Sequence, residues 1–342
     1  MLAALRSRLI HFVVASLMLC VAAVHAVQDP LEPPILQSLG MEMEEFPYPY
    51  LVEYLPLTME GQMVKMAYMD VAPAGKPNGR NALLLHGRNF GGYYWENTIR
   101  FLSHAGYRVV VPDQIGFGKS SKPDIGLSFH ALAHNTRQLL DHLGIDRTAV
   151  IAHSMGGMLA VRFALMFPAK VEKLILESPI GLEDYRLKVP YATNEELARE
   201  SAAMTRESID RFYRSYFAQW RPEFQVYADA QFRWTLGPEA ERLHRTAAHT
   251  YQMAYEQPVV YELPLVQSKT LIVGGDADRS AIGRNRVAPE VRDTMGRFTE
   301  LIPAAARVMP NAAPVLLSNV GHIAHLEIPE KFHAIVSSFL GK

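Results

Sequence analysis

The sequence predicts an α/β fold: a mostly parallel central sheet flanked by helices and interrupted once by an all-helical insertion. Three observations predict it. Short apolar runs, Ala82-Leu-Leu-Leu85, Thr148-Ala-Val-Ile-Ala152 and Thr270-Leu-Ile-Val273 among them, read as buried strands. Stretches with helical spacing or helix-forming composition separate the earlier runs, and strand–helix alternation is the signature of a parallel sheet. Residues 181–262 then break that rhythm, with no strand-like run anywhere in them.

Composition narrows the function. The 342 residues are 49% hydrophobic and 20% charged, with a formal net charge of −1. That suits a globular enzyme with one large α/β domain plus an insertion. Nothing is basic enough to suggest nucleic acid, and no charge block suggests a tail.

The N-terminus is a separate matter. Arg6 and Arg8 precede the apolar run Leu9–Ala23, and Val24-His-Ala26 puts small residues at the two cleavage-determining positions. Positive start, apolar middle and small-x-small end make residues 1–26 a secretory signal peptide. His11 within the run and its modest length argue against an uncleaved anchor, so no stable membrane association is expected after cleavage. Cys20 is the single cysteine, so a chain cut after Ala26 has neither disulfides, a catalytic thiol nor a cysteine-ligated metal. Export without disulfides fits a bacterial periplasm, because a domain of this size is held by its core alone.

The mature chain divides into a core domain, 27–180 with 263–342, and a helical cap, 181–262. Residues 27–48 read as an irregular lead-in. Tyr48–Leu57 and Met63–Val71 alternate as two antiparallel strands joined through Glu60-Gly61, and 72–79 is a loop. The strand Ala82–Leu85 ends in His86-Gly-Arg-Asn-Phe-Gly-Gly92. A helix over Tyr93–Ala105 and the strand Tyr107–Pro112 follow, the latter entering Asp113-Gln-Ile-Gly-Phe-Gly-Lys-Ser120. Ser128 is a natural N-cap for a helix with Leu132, Thr136, Leu139, Leu140 and Leu143 on one face, closed by Gly144. After the strand Thr148–Ala152 and its helix comes the strand Val171–Leu176. In the cap, Thr193 and Glu196 fit a capping box. Ile209, Phe212, Tyr213, Tyr216, Phe217 and Trp220 fall at helical spacing, as one helix that Arg221-Pro222 stops. The strand Thr270–Val273 ends at Gly274-Gly-Asp-Ala-Asp278. Val315–Leu317 runs to Gly321-His322, and Pro329 opens a last helix with Phe332, Ile335, Val336, Phe339 and Leu340 inward.

The chemistry centres on Ala152-His-Ser-Met-Gly156. Strand, sharp turn and helix, with a serine at the apex and small flanking residues, form a nucleophile elbow of the G-x-S-x-G kind. The turn lifts the Ser154 hydroxyl clear of both elements and places it at a helix N-terminus. A serine needs an adjacent base, itself oriented by a third group, and in an open α/β sheet such groups belong at the carboxyl ends of strands. Ser154, Asp278 and His322 each stand just past a predicted strand, in that order.

On these residues the chain resembles the α/β-hydrolase superfamily over nearly all of 45–342, which implies the α/β-hydrolase fold and a serine hydrolase with a helical cap. His86-Gly87 is similar to the family's oxyanion loop, implying that the N–H of Arg88 or Asn89 joins that of Met155 around an oxyanion. Asp113–Ser120 resembles its loop after the fourth strand, Gly275–Asp278 its acid turn, and Gly321-His322 with Glu327-Ile-Pro-Glu330 its histidine segment. The chain departs in carrying Ala152 for glycine and in lacking the proline many relatives have shortly after His-Gly. Asp276 and Glu177 are rivals for the acid position, and His325 for the histidine. His86 reads as a prop for its loop. His153, Phe217 and Trp220 are candidates to line a substrate pocket, against the plainer reading that they only pack. No histidine has metal-ligand spacing, and the resemblance implies no cofactor. A serine at the elbow speaks against the dehalogenase and epoxide-hydrolase branches, whose members use a carboxylate there. The substrate implied is a small-molecule carboxylic ester. The alternatives are a C–C hydrolase of vinylogous diketones, where relatives usually carry asparagine at the position of His153, an amidase, and a non-catalytic binding protein.

The N-terminal reading is directly testable. N-terminal sequencing of exported protein is expected to begin at Val27, and a mature chain still starting near Met1 would contradict it.

Overall fold

Strands that are apolar on both sides of the pleat have to be covered on both faces, and that requirement sets the architecture. In the computed structural model, which describes residues 36–341, it is met by one eight-stranded sheet. The expected export signal over 1–26 lies outside the described residues. The strands are β1 (Glu53–Met59), β2 (Gln62–Val71), β3 (Asn81–Leu85), β4 (Arg108–Pro112), β5 (Thr148–His153), β6 (Val171–Glu177), β7 (Thr270–Gly275) and β8 (Ala312–Leu317). Their order across the sheet is β1-β2-β4-β3-β5-β6-β7-β8. β2 runs antiparallel to both β1 and β4, and every other neighbouring pair is parallel.

The helices are α1 (Glu96–His104), α2 (Phe129–His142), α3 (Met155–Met166), α4 (Asn194–Ala202), α5 (Arg206–Arg214), α6 (Gln225–Thr235), α7 (Ala240–Glu256), α8 (Pro289–Arg292), α9 (Phe298–Val308), α10 (Ala324–Glu327) and α11 (Pro329–Gly341). Alternate residues of the central strands serve opposite covers. Leu83, Leu85, Val150 and Ala152 pack with Phe129 and Leu132 of α2, Met158 and Phe163 of α3 and Ile302 of α9. Ala82, Leu84, Ala149 and Ile151 pack on the other face with Ile99 and Leu102 of α1 and Phe332 and Val336 of α11. At the far edge β8 is half-exposed, and an edge strand tolerates Pro314.

Local signals place the helix ends. The Ser128 hydroxyl accepts from the Ala131 N–H at 3.1 Å, and Gly144 takes φ +66° just past α2. Thr193 and Glu196 form a reciprocal capping box at the start of α4.

Between β6 and β7 the chain forms four α-helices, with α4 lying along α7 and α5 along α6. Here one expectation is corrected. The aromatic stripe Ile209–Trp220 is not one helix, because α5 stops at Arg214. The backbone beyond it is captured by the His322 segment. The Tyr216 carbonyl accepts the His322 N–H at 2.6 Å, and the Gln219 N–H donates to Glu327 Oε1 at 3.1 Å. Gly321 is what lets the two segments touch, since a Cβ there would fall 2.7 Å from the Ala218 nitrogen. Nor is the stripe wholly covered: Ile209 and Tyr213 are buried, while Phe212 is 37% exposed.

The start of β1 is a second correction. The strand expected from Tyr48 begins only at Glu53. Tyr48 instead donates its hydroxyl to Asp113 Oδ2 at 2.6 Å, which also accepts the Lys119 N–H at 2.6 Å. The described part of the preceding lead-in, from Leu36 on, is irregular as read and is tied down by Leu39 N–H to the Arg233 carbonyl and by Trp234 Nε1 to the Gly40 carbonyl.

Candidate active site

The site is built where β5 turns into α3. Ser154 sits there at φ +57°, ψ −120°, a backbone conformation that costs a non-glycine residue roughly 1–3 kcal/mol. Three backbone hydrogen bonds hold it: Ser154 N–H to the Glu177 carbonyl, and Gly157 and Ile180 N–H to the Ser154 carbonyl. Small neighbours are required because α3 abuts the end of β3. A Cβ on Gly156 would lie 2.5 Å from the Leu85 carbonyl oxygen, and one on Gly87 would lie 3.1 Å from Ser154 Cβ. Ala152, where the resemblance suggests glycine, is fully buried and fits.

The structure brings Ser154, His322 and Asp278 together. His322 Nε2 lies 2.9 Å from Ser154 Oγ, and His322 Nδ1 lies 2.7 Å from Asp278 Oδ2. All three are buried, with Ser154 the most exposed at 6%. The other Asp278 oxygen accepts the Ser280 N–H at 2.8 Å, which fixes the carboxylate plane. The rivals are engaged elsewhere. Asp276 is exposed and accepts the Asn319 N–H at 2.8 Å. His325 and Glu177 pair with each other, fully buried, through Nδ1 and Oε2 at 2.8 Å, and Glu177 Oε1 also accepts the His325 N–H.

Two further histidines order the surroundings. His86 donates from Nδ1 to the Gly87 carbonyl and accepts the Gln114 N–H at Nε2. His153 joins two loops. The Gly87 N–H donates to the Tyr94 hydroxyl at 2.8 Å, that hydroxyl donates to His153 Nδ1 at 2.9 Å, and His153 Nε2–H donates to the His322 carbonyl at 3.0 Å. His153 therefore does not line an open pocket; it couples the turn after β3 to the His322 segment.

That turn is closed by Phe90 N–H to the Gly87 carbonyl, with Asn89 at φ +70°. The N–H groups of its central residues, Arg88 and Asn89, have no partner within the turn, and Gly87 N–H is already taken by Tyr94. The Met155 N–H, in the first turn of α3, likewise has no intrahelical acceptor.

Above the site the aromatics are not arranged as expected. Phe217 and Trp220 pack on each other and on Phe224, with Phe217 stacked on Phe224 at 4.1 Å. The ring that meets His322 is Tyr216, stacked at 4.9 Å with 24° between planes. Ending α5 at Arg214 rotates Tyr216 toward the histidine and its two successors away. Sequence reading also missed Tyr94, and it placed Glu327 in the histidine segment without its role: Glu327 accepts the Gly321 N–H at 2.9 Å and so holds the His322 loop. Glycines at 87 and 321 were the available signals, since each marks a close backbone approach. Among the described residues no group of three or more His, Cys, Asp or Glu is placed to hold a metal ion, and no helix is long and apolar enough to cross a membrane.

Comparison with known proteins agrees with this layout. A family described as alpha/beta hydrolase fold matches residues 83–329. A probable hydrolytic enzyme from Pseudomonas aeruginosa PAO1 superposes with a TM-score of 0.87 at 43% identity, over 89% of this chain and 99% of that one. Lipase 1 of Psychrobacter immobilis is 26% identical over 77% of this chain and 76% of its own length. An uncharacterized protein of Mycobacterium tuberculosis is 37% identical over 105 residues, and there the match spans only 30% of the relative's length.

Buried histidines give the protein a defined acid response. Burial pulls His86 below its ordinary pKa, His153 well below it with His322 and His325 adding to the effect, and His333 down to about 4. Beside His333, His325 and Arg100 also lower its pKa, and Glu330 opposes them. In the unfolded chain each takes a proton near pH ~6.5, so unfolding binds protons below that pH. Stability is therefore complete above about pH 6.5 and falls as the pH drops toward 4, by up to ~1.4 kcal/mol per pH unit for each of the fully buried His86 and His153 and by less for the partly solvated His333. Urea unfolding between pH 8 and 5 checks this: His333→Gln is expected to flatten the acid slope by a fraction of that amount, and an unchanged slope would contradict it.

Proposed function

The chain belongs to the alpha/beta hydrolase fold family and is a hydrolase, and on that premise we propose that it cleaves small-molecule carboxylic esters through an acyl-enzyme on Ser154. The observation that carries the reading is the unbroken line Ser154 Oγ–His322–Asp278, at 2.9 and 2.7 Å, standing on a strained turn. His322 Nε2 takes the hydroxyl proton as Ser154 Oγ attacks the ester carbonyl carbon. Asp278 stabilises the imidazolium and keeps Nδ1 protonated, which leaves Nε2 free as the base. The oxyanion that forms is held by the N–H groups of Met155 and Arg88, a contribution of about 10²–10³ in rate per donor. His322 returns its proton to the leaving alkoxide. A water, deprotonated by the same histidine, then releases the carboxylic acid.

Ester is favoured as the scissile group because this constellation is built for acyl transfer, and because relatives of more than two-thirds coverage are named lipases. In the same reading 181–262 acts as a lid over the acyl-enzyme, with Tyr216 as the aromatic at the reacting histidine. The enzyme works in the periplasm after residues 1–26 are removed.

Substitution tests the roles. Ser154→Ala is expected to abolish release of 4-nitrophenol from short acyl esters while the fold persists by circular dichroism. Asp278→Asn is expected to lower kcat by about 10⁴-fold, through loss of the correct tautomer. Asp276→Asn, whose carboxylate only props Asn319, stays within a few fold. Activity surviving in Ser154→Ala, or the reverse ranking of the two aspartates, would overturn the assignment.

A further inference from the structure

Arg88 contributes more than a backbone N–H to this site. Its side chain turns beneath α7, where Nε donates to Thr250 Oγ1 at 3.4 Å and Nη2 to the Ala247 carbonyl at 3.1 Å. The guanidinium carbon lies 5.8 Å from the centroid of the Tyr251 ring. A guanidinium has five N–H donors, so most of its donor capacity is left over. The charged neighbours that would normally answer it are missing: the groups that act on it are the phenols of Tyr213, Tyr216 and Tyr251, and among the described residues no carboxylate lies within ion-pair distance. Several other part-buried arginines in this protein are matched, although Arg233, Arg284 and Arg292 meet only backbone carbonyls. Arg80 has Glu172, Arg108 has Asp70, Arg162 has Glu262, and Arg206 has Asp210 and Asp229.

The position matters as much as the missing partner. Arg88 follows Gly87, whose Cα comes so near the nucleophile that a Cβ would sit 3.1 Å from Ser154 Cβ. Tyr216, one of the phenols acting on the guanidinium, is the ring stacked on His322. The ring stacked on the reacting histidine is thus one of the groups acting on the unmatched cation, and the residue carrying that cation follows the glycine packed against Ser154.

We propose that the Arg88 guanidinium is an anion-binding subsite, and that the ester cleaved at Ser154 carries a carboxylate which Arg88 holds beneath α7. This rests on the acyl-enzyme reading above. A half-buried cation without a counter-ion is partly desolvated at a cost, and the substrate supplies the counter-ion. A carboxylate accepts two parallel N–H bonds from the guanidinium fork, which fixes orientation as well as position. Burial alone lowers the Arg88 pKa, with only tyrosines opposing it, consistent with a site short of one negative charge. The contrary account is that Arg88 only ties its turn to Thr250 and Ala247. In that case the charge of the substrate is irrelevant.

Substrate pairs separate the two accounts. The 4-nitrophenyl hemiesters of succinate, glutarate and adipate are compared with the same compounds methyl-capped at the free carboxylate, by kcat/KM for nitrophenol release. Wild-type protein is expected to prefer the charged member of at least one pair by roughly tenfold to a hundredfold. Arg88→Met is expected to erase that preference, and Arg88→Lys to keep part of it, since a point charge remains without the fork. Equal or greater rates for the capped compounds at all three lengths, or a preference that survives Arg88→Met, would overturn the proposal and leave the acyl-enzyme reading intact. Calorimetric binding of the three free dicarboxylates to Ser154→Ala protein makes the test independent of turnover. Binding is expected there and is expected to vanish in Ser154→Ala/Arg88→Met; its absence from the single variant would also overturn the subsite. Failure of wild-type protein to hydrolyse any of the esters would instead sink the acyl-enzyme reading, and dicarboxylate binding would still decide the subsite.

Discussion

The site depends on one close approach, that of the N-terminus of α3 to the carboxyl end of β3. Gly156 faces the Leu85 and His86 carbonyls with no side chain between. That contact forces Ser154 into a backbone conformation an ordinary residue avoids, and three backbone hydrogen bonds keep it there. The strain has a geometric result: the hydroxyl stands free of strand and helix, at the positive end of α3. Because Gly87 approaches from β3 at the same point, the turn that presents Arg88 and Asn89 cannot drift from the serine.

A second layer of constraint runs through neutral histidines. His153, fixed as the Nε2–H tautomer by its two partners, ties the Gly87 turn to the His322 carbonyl through Tyr94. His86 does the corresponding work between Gly87 and Gln114. Buried polar groups are stabilising only when every donor and acceptor is matched, and a neutral imidazole offers one of each at a fixed separation. This is why burial here favours uncharged rings. His325 is the partial exception. It is matched to Glu177 at Nδ1, but its Nε2 finds no partner among the described residues, and its ring lies on Trp95 at 4.0 Å.

Much of this was legible in the chain because it is local. Runs such as Ala82–Leu85 declare a doubly covered strand by composition alone, and Ser154, Asp278 and His322 each follow such a run. In the structure those three side chains meet past the carboxyl ends of β5, β7 and β8. Illegible features were those in which one segment answers another distant in sequence. Helical spacing continued through Trp220, yet α5 ends at Arg214 because the Tyr216 carbonyl and Gln219 N–H serve the His322 segment instead. The same event exchanges Phe217 and Trp220 for Tyr216 at the histidine. Tyr48 looked like the start of a strand and is a donor to Asp113. That Arg88 has no counter-ion among the described residues likewise has no sequence signal, since it is defined by which of them are not nearby in space.

The central claim is that the strained elbow aims Ser154 Oγ at a carbonyl whose oxygen falls between Met155 and Arg88. A crystal structure of the protein inactivated with an alkyl fluorophosphonate tests it most directly. The account predicts phosphorus bonded to Ser154 Oγ, with one phosphonyl oxygen within hydrogen-bond distance of both N–H groups and His322 still on Asp278. Phosphorus on another residue, or a phosphonyl oxygen turned away from the two N–H groups, would contradict it.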